Sequence, residues 1–306
     1  MEDIHILLFY KFVKIKNPKE FAEKHLEFCQ NIGIRGRILV ATEGINGSIS
    51  GSKEQIKSYK NNLERNNLFK DIVFKENIGK EHPFRRMRVI VRDEIVSIKS
   101  DVDLNNKGKY LNQKEFLEIY EKDNEDVVIL DTRNYYEYKV GHFKNAIHLD
   151  IKTFREFPEA IEKIKDKKDK KIVMYCTGGI RCEKASALMK SRGFKDVYQL
   201  KDGIINFCKE YPDTVWEGKC FVFDKRLVIS TNKKDQNPIS NCFVCGNSSD
   251  LYRNCRNLKC DKLFIECIGC QEKMSGCCSK QCLKEFKKQC LLKSSMNQGR
   301  KIMIEM

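Results

Sequence analysis

The fold of the middle of the chain is decided by the stretch "MYCTGGIRCEKAS", residues 174–186, in which a glycine loop joins an apolar strand to a helix. Gly178 and Gly179 have no Cβ atoms and permit positive φ values, so successive N–H groups of the loop can point inward. The helix expected over residues 180–192 adds its positive N-terminal end at the same place. We therefore expect the loop to hold the Cys176 sulfur ionised, with a lowered pKa and open to solvent.

Arg181 closes this loop as the sixth residue counted from Cys176, and it can fork two N–H bonds onto an anion or a carboxylate. The spacing Cys-x4-Arg after a strand is typical of loops that hold persulfides, phosphates or arsenate. The alternative is a tight turn with an inert thiol, since free cysteines often pack as small apolar residues. The coincidence of strand, glycines, arginine and helix favours the functional loop. Cys182 either resolves an oxidised Cys176 or packs beneath the loop, and the sequence leaves both open.

Helices and strands alternate through residues 112–212, which predicts a parallel α/β sheet. We expect strands at "VVILDTRN", "AIHLD", "KIVMYC" and "VYQL", and helices at "QKEFLEIYEKD", "PEAIEKIKDK" and "GIINFCKEYP". Ligands of such sheets lie at the carboxyl ends of the strands. Cys176 directly follows a strand, so the loop is expected at that edge.

The first part of the chain shows the order strand, helix, strand, strand, helix, strand, which predicts a ferredoxin-like sandwich over residues 1–96. Pro18 and Gly33 delimit its first helix, and Ser52 is expected to cap the second. The polar stretch "KSDVDLNNKGKYLN" offers little to bury, so residues 97–111 are predicted to be a linker. A ferredoxin-like fold hosts many functions and identifies none.

Composition limits the class of protein and its partners. The 306 residues carry a formal net charge of +15, which favours an anionic partner such as nucleic acid. No signal peptide is evident at the start, and no apolar run approaches the roughly 18 residues of a transmembrane helix. These features predict a cytoplasmic protein without membrane association. Its 15 cysteines are then expected as thiols or metal ligands rather than disulfides.

The third predicted domain, residues 213–306, contains a cysteine array followed by a polar tail without clear periodicity. Short gaps let both thiolates of a cysteine pair bind one tetrahedral ion, and four pairs supply two closed structural sites. Numbered along the chain, pairs one (Cys242 and Cys245) and three (Cys267 and Cys270) are expected on one ion, and pairs two (Cys255 and Cys260) and four (Cys277 or Cys278, with Cys282) on the other. Zn²⁺ is favoured, and an iron–sulfur centre is the alternative. The predicted ligands are Cys242, Cys245, Cys255, Cys260, Cys267, Cys270, Cys278 and Cys282, with Cys277 ambiguous beside Cys278.

Three arginines in "HPFRRMRVIVR" are candidate RNA contacts: Arg85, Arg86 and Arg88. At strand spacing, Arg86 and Arg88 share one face, while Met87 and Val89 share the other. The alternative for each arginine is the solvated face of a half-buried strand.

The stretches "LDTRNYYEYKVGHFKNAIHL" and "CTGGIR" resemble the rhodanese family over about residues 112–212. The resemblance implies that the first loop cysteine takes up a sulfane sulfur as a persulfide, which the loop amides stabilise. Cys176 matches this position, and we place Arg181 beside it as the second catalytic residue. Asp131 and Arg133 are expected to brace the loop. The supporting residues expected around the cysteine are Thr177, Gly178, Gly179, Ile180, Cys182, Asp131 and Arg133.

Four stretches, "EGINGSISG", "MYCTGGIRCEKAS", "GKCFVFDKR" and the cysteine array, occur in an order similar to that of the tRNA uridine(34) hydroxylase family. The similarity spans nearly all of residues 4–290. It implies an N-terminal ferredoxin-like domain, a central rhodanese domain and a C-terminal cysteine-rich domain. It also implies that the partner is the anticodon loop of tRNA, whose wobble uridine becomes 5-hydroxyuridine with molecular oxygen as co-substrate. A protein that donates electrons or sulfur stays unidentified.

The chemistry available for such a reaction centres on one thiolate. No flavin fingerprint or 2-His-1-carboxylate set is evident, so Cys176 is the reactive group that the sequence offers. It could add to C6 of the pyrimidine and make C5 nucleophilic, whether as thiolate, persulfide or sulfenic acid. A sulfurtransferase acting through the same cysteine is the alternative function. A non-enzymatic RNA-binding or scaffolding protein is the third hypothesis, which the intact Cys-x4-Arg loop disfavours.

Overall fold

The structure, a computed structural model, describes residues 3–122, 125–234 and 237–302. Its first part confirms the predicted ferredoxin-like sandwich, with the strand order β4-β1-β3-β2-β5 and two helices on one face. Ser52 caps the second helix in a reciprocal capping box with Gln55, as its sequence position predicts. The elements are β1 (Ile4–Phe12), α1 (Pro18–Asn31), β2 (Arg35–Ala41), β3 (Gly44–Gly51), α2 (Lys53–Arg65), β4 (Val73–Gly79) and β5 (Met87–Val91).

Strand β1 divides its side chains between two domains. Leu7 and Phe9 are fully buried in the core of the first domain. Successive side chains of a strand alternate between faces, so Leu8 and Tyr10 point the other way, and Leu8 packs against the core of the second domain. The first domain therefore lies against the second through the sheet face that its own helices leave free.

The second domain is built on a parallel sheet with the order β6-β11-β10-β7-β9, which confirms the predicted α/β architecture. Apolar residues of the strands pack against helices on its two faces. The elements are β6 (Lys109–Leu111), α3 (Gln113–Glu121), β7 (Val127–Asp131), α4 (Tyr135–Val140), β8 (Gly141–Phe143), β9 (Ile147–His148), α5 (Phe157–Ala160), β10 (Lys171–Tyr175), α6 (Ile180–Ser191), β11 (Asp196–Leu200) and α7 (Gly203–Glu210).

The third part begins with a strand that belongs to the second domain's core. β12 pairs with β8, and Trp216 is buried with the apolar residues of that core. The cysteine-rich segment is attached through the Tyr252 hydroxyl, which donates to the Tyr136 carbonyl at 2.9 Å. None of the described helices combines the length and apolar character needed to cross a membrane. The elements are β12 (Trp216–Gly218), β13 (Cys220–Phe221), β14 (Val228–Ile229), β15 (Tyr252–Asn254), β16 (Leu263–Ile265), α8 (Ile268–Met274) and α9 (Lys280–Ile302).

Three further segments differ from the sequence-based expectation. The segment 97–111, expected as a linker, buries Ile98 completely in the second domain and forms the edge strand β6. The expected helix "PEAIEKIKDK" is α-helical for one turn and continues as a 3₁₀-helix in which Ile164 leaves helical geometry. The tail expected to lack periodicity is the long helix α9, and the Ser279 hydroxyl accepts the N–H of Cys282 in its first turn.

Candidate active site and cysteine clusters

The loop of Cys176 lies at the carboxyl end of the central strand of the parallel sheet. β10 pairs with β11 on one side and with β7 on the other, and the chain turns through four residues into α6. Gly179, the last residue before α6, has a φ of 98°, a conformation that residues with a Cβ atom adopt only with strain. Its N–H donates to the Cys176 sulfur at 3.1 Å. The structure thus contains the predicted strand, turn and helix, with an amide directed at the sulfur.

The Cys176 thiol is acidic. Burial by itself raises its pKa, because desolvation penalises the thiolate. The hydrogen bond with Cys182, the charge of Arg181 and the backbone N–H groups of Arg181 and Cys182 act in the opposite sense and prevail, so the pKa of Cys176 falls from 9.0 to about 6. The thiolate is therefore the major form at neutral pH.

The expectation that the sulfur is open to solvent is wrong, because Cys176 is 1% exposed. Two side chains of β1, Leu8 and Tyr10, cover the loop and are called the roof below. A Cβ atom on Gly178 would lie 2.8 Å from Leu8, and one on Gly179 would lie 2.9 Å from the Tyr10 hydroxyl. The two glycines thus allow the first domain to approach the loop closely. A substrate reaches the sulfur only when side chains around the loop move.

Helix α6 fixes the roof to the second domain. Glu183 accepts a hydrogen bond from the Tyr10 hydroxyl at 3.1 Å. The next residue, Lys184, is almost fully buried and pairs with Glu43 at 2.8 Å and with Glu94 at 2.7 Å, both from the N-terminal part of the chain. Removing one partner of a buried ion pair is costly. The roof is therefore held firmly over the loop.

The guanidinium of Arg181 forms a bidentate ion pair with a carboxylate inside the protein. Its Nη1 donates to Oε2 of Glu137 at 2.7 Å, and its Nη2 donates to Oε1 at 2.8 Å. The hydroxyl of Thr177 donates to the same carboxylate at 3.3 Å, and Glu137 is completely buried. The sequence placed Arg181 among the catalytic residues. The structure shows its guanidinium bound to Glu137 of α4, and its charge lowers the pKa of Cys176.

Replacing Glu137 with glutamine leaves the buried charge of Arg181 without its carboxylate. Breaking a buried ion pair in this way costs about 3–5 kcal/mol. We expect the free energy of unfolding, measured by urea denaturation, to fall by that amount.

The matched control is Glu162→Gln, which removes the exposed pair between Glu162 and Arg192. Exposed pairs contribute about 0–1 kcal/mol, so this variant should stay close to wild type. Equal losses in the two variants would show that the Glu137 pair does not hold the loop.

Asp131 and Arg133 brace the edge on which the loop stands. Nη2 of Arg133 donates to Oδ2 of Asp131 at 2.6 Å and to the Gly141 carbonyl at 2.6 Å. Its guanidinium also lies 5.2 Å from the ring centroid of Trp216. Both charged side chains are completely buried. These contacts give the two residues a structural role.

Cys182 is a buried thiol on the first turn of α6. Burial raises its pKa well above the ordinary value, and the neighbouring Cys176 raises it further. The Thr132 hydroxyl lies 3.7 Å from its sulfur. Cys182 thus stays protonated at neutral pH and can donate to the Cys176 thiolate.

Replacing Cys182 with alanine removes this donor, so the pKa of Cys176 should rise above about 6 toward its ordinary 9.0. Serine keeps a hydroxyl donor and should give a smaller rise. Alkylation of Cys176, followed against pH by peptide mass spectrometry, measures both midpoints. Identical midpoints in the alanine variant and the wild type would exclude the donor role.

The three candidate RNA contacts, Arg85, Arg86 and Arg88, are exposed on β5 and the turn before it. Met87 and Val89 pack against the first domain's core, as strand alternation predicts. A cavity of about 350 Å³ lies beside the arginines. The arginines therefore face open space.

The eight predicted metal ligands form two groups of four thiols. Within each group the sulfur atoms all lie within 4.8 Å of one another, and the separations Cys245–Cys267, Cys260–Cys278 and Cys278–Cys282 are 3.7 Å. Thiolates about 2.3 Å from a tetrahedral ion stand about 3.8 Å apart, so both groups fit such an ion. The groups combine pairs one and three, and pairs two and four: Cys242, Cys245, Cys267, Cys270, and Cys255, Cys260, Cys278, Cys282.

Three residues of the site were not assigned from the sequence: Glu137, Leu8 and Tyr10. Glu137 lies within the stretch that carries the rhodanese resemblance, but its partner Arg181 is 44 positions away. The roof is more distant still, since Tyr10 and Glu183 are separated by 173 positions. Alternation along β1 predicts which side chains point away from the first domain's core, but only the tertiary structure shows that they lie against the Cys176 loop.

The parallel sheet, with a cysteine loop at the end of its central strand, defines a rhodanese-like domain. The family model described as a rhodanese-like domain matches residues 112–210. A UPF0176 acylphosphatase-like domain matches residues 4–95, and a rhodanase C-terminal model matches residues 217–283.

Curated relatives match nearly the whole chain. The tRNA uridine(34) hydroxylase of Cytophaga hutchinsonii is 43% identical over 284 residues, covering 92% of this chain and 90% of that protein. That of Bacillus licheniformis is 44% identical, covering 85% and 82%, and that of Enterococcus faecalis is 42% identical, covering 90% and 89%. The chain belongs to the tRNA uridine(34) hydroxylase family of enzymes.

Proposed function

We propose that this protein hydroxylates uridine 34, the wobble base of tRNA, to 5-hydroxyuridine. The observation that carries the proposal is an acidic loop cysteine in a chain 43% identical to a curated hydroxylase over 92% of its length. Hydroxylation by molecular oxygen places one oxygen atom at C5 and reduces the other to water. This consumes two electrons and two protons from a reductant.

Cys176 acts as the nucleophile. Its thiolate adds to C6 of the uracil ring, so an S–C6 bond forms and the electron pair of the C5–C6 double bond moves onto C5 and O4. C5 thereby becomes nucleophilic. Once the reductant has brought O₂ to the peroxide level, C5 attacks one peroxide oxygen, so a C5–O bond forms, the O–O bond breaks and the second oxygen leaves as water. Loss of the C5 proton and departure of the thiolate then restore the double bond. The N–H of Gly179, which donates to the sulfur, stabilises the thiolate before it adds to the ring and after it leaves.

The anticodon loop suits this site because its bases can leave the stack and enter a protein pocket. Arg85, Arg86 and Arg88 are proposed to contact its phosphates, since all three are exposed. A tRNA substrate and a chain whose described cysteines form no disulfide favour the cytoplasm as location.

The two cysteine clusters are proposed to bind Zn²⁺. Four thiolates around each ion leave no open coordination position, so the ions stabilise the fold and take no part in the reaction. Iron–sulfur binding would instead give visible absorption and iron in the purified protein.

Nucleoside analysis of tRNA tests the proposal. Cells that lack the protein should lose 5-hydroxyuridine and its derivatives, and wild-type protein should restore them. Unchanged 5-hydroxyuridine in the deletion strain would remove the proposal. If, in that case, the purified protein forms thiocyanate from thiosulfate and cyanide, the sulfurtransferase alternative is the function.

A covalent trap tests the role of Cys176 separately. A tRNA anticodon stem-loop with 5-fluorouridine at the wobble position cannot lose a C5 proton, so the adduct should persist. Mass spectrometry should find the RNA attached to Cys176. Attachment elsewhere, or none while the unsubstituted stem-loop is hydroxylated, would exclude addition by this sulfur.

A further inference from the structure

A cavity of about 350 Å³ lies between the first domain and the hairpin formed by β13 and β14. The residues that give it its chemistry are Arg37, Phe84, Arg85, Arg86, Arg88 and Phe223, and it is called the arginine cavity below. The N–H of Lys225, near the hairpin tip, donates to the Pro83 carbonyl at 3.2 Å. The hairpin therefore lies against the turn that precedes β5. The volume is within the range of small-molecule and nucleotide sites.

The arginines of this cavity have no carboxylate partners in the part of the chain that the structure describes, where arginine ion pairs involve other residues. Arg37 and Arg88 are register partners on β2 and β5. Like charges directly opposite on neighbouring strands destabilise a sheet. A phosphodiester relieves this repulsion, because a guanidinium binds its oxygens in pairs.

Phe223 connects the arginine cavity with the cysteine loop. It lies near the tip of the hairpin, is 47% exposed, and has its ring centroid 5.7 Å from the guanidinium of Arg181. The same ring borders a smaller cavity of about 70 Å³ that Leu8 and Thr177 also line. That volume corresponds to about two water molecules, which is too small for a pyrimidine. The base can enter only if the ring or its neighbours move.

Of the two groups that cover the loop, the roof is fixed by buried ion pairs of Lys184. The half-exposed ring of Phe223 lies on a short hairpin at the mouth of the arginine cavity. Side-chain rotation of a partly exposed residue is fast and inexpensive compared with breaking buried ion pairs. Entry from the hairpin side is therefore favoured.

We infer that the arginine cavity binds the sugar–phosphate segment of single-stranded RNA beside the target nucleotide, and that the target base stacks on Phe223 on its way to Cys176. The inference rests on the proposed function, because it supplies the route by which uridine 34 reaches the sulfur. Stacking on a ring tolerates any base, so the cavity positions the strand and Phe223 presents the base. Phe223 is thus a positioning residue and Cys176 the catalytic one.

The phosphate contacts are tested by binding of a tRNA anticodon stem-loop at several salt concentrations. Arg37→Gln and Arg88→Gln should each lower the slope of log affinity against log salt by about 0.7, the value for one phosphate of a single strand. Neither variant should lower the melting temperature of the free protein, since each removes a like-charge pair. The control is Arg65→Gln, an exposed arginine of the same domain outside the cavity. Slopes equal to that of the control would overturn the phosphate site.

The base-stacking role is tested at Phe223. Phe223→Leu should weaken stem-loop binding on the order of 10-fold, and Phe223→Trp should restore it, because a ring and not apolar bulk is required. Hydroxylation of the leucine variant should fall further than its binding, through kcat as well as KM. Wild-type affinity and kcat/KM in the leucine variant would overturn the role of the ring.

Binding of a fully paired RNA duplex of the same length tests whether the site recognises single-stranded or double-stranded RNA. We expect it to bind more weakly and to be insensitive to Phe223→Leu. Duplex binding with the same dependence on Phe223 and on Arg88 would overturn the inference. These binding measurements need no turnover, so a wild-type protein that binds as described but leaves uridine 34 unmodified would reject the proposed function and keep the RNA site.

Discussion

Cys176→Ser should lower the rate of tRNA hydroxylation by at least about 10³-fold, because removing the nucleophile of a covalent mechanism costs this much or more. Serine has nearly the same shape, but its hydroxyl is not ionised where the loop brings the pKa of Cys176 to about 6. The variant should fold and still bind the tRNA anticodon stem-loop. Single-turnover hydroxylation of that stem-loop, with nucleoside analysis of the product, measures the loss.

The matched control is Cys208→Ser, which changes a second buried thiol of the same domain. Burial raises the pKa of Cys208 to about 12, so that sulfur is protonated and inert at neutral pH. Its variant should keep hydroxylation near the wild-type rate. A serine variant at 176 that is as active as this control would mean that Cys176 only packs beneath the turn.

Removal of metal should unfold the cysteine-rich segment. The small core there contains four buried residues, of which three are cysteines: Cys255, Phe264, Cys277 and Cys278. Structural Zn²⁺ sites contribute an apparent 10–16 kcal/mol, comparable to the whole stability of a typical domain. We expect the purified protein to contain two equivalents of zinc, and a strong chelator to expose residues 242–291 to proteolysis. The first two domains should keep a cooperative unfolding transition, because their cores are large and apolar.

The metal content of single-cysteine variants tests which cysteines bind an ion. Cys270→Ser removes a buried ligand of the first cluster and should lower the metal content to one equivalent. Cys290→Ser, an exposed cysteine of α9 outside both clusters, should keep two. Two equivalents in the Cys270 variant would show that this cluster does not hold an ion.

Sequence patterns were sufficient to predict those parts of the structure that depend on residues close together in the chain. The capping box at Ser52 and Gln55 needs two side chains three residues apart. The strand, glycines and helix around Cys176 form a continuous stretch, and the alternation of cysteine pairs matches the grouping of the thiols. Each of these features depends on residues that are close in the chain or on a repeated spacing.

The parts that could not be predicted depend on contacts between domains. Leu8 and Tyr10 lie against the two glycines of the Cys176 loop, and no spacing near position 176 indicates that β1 lies above it. The sequence left open whether Arg181 binds an external anion or a carboxylate of the protein. The structure shows that α4 places the Glu137 carboxylate beside it. The segment 97–111 is polar on average, yet Ile98 is buried because a neighbouring domain supplies the core. In each case the deciding neighbour is distant in sequence.

The pKa of the Cys176 thiol in the intact protein shows directly whether the loop stabilises a thiolate. Its alkylation rate follows the thiolate fraction, so the rate should rise with pH through a midpoint near 6 and be level above pH 7. Peptide mass spectrometry distinguishes this cysteine from the others. We expect a midpoint near 6, whereas a rate that rises only through pH 9 would show that the loop does not stabilise the thiolate.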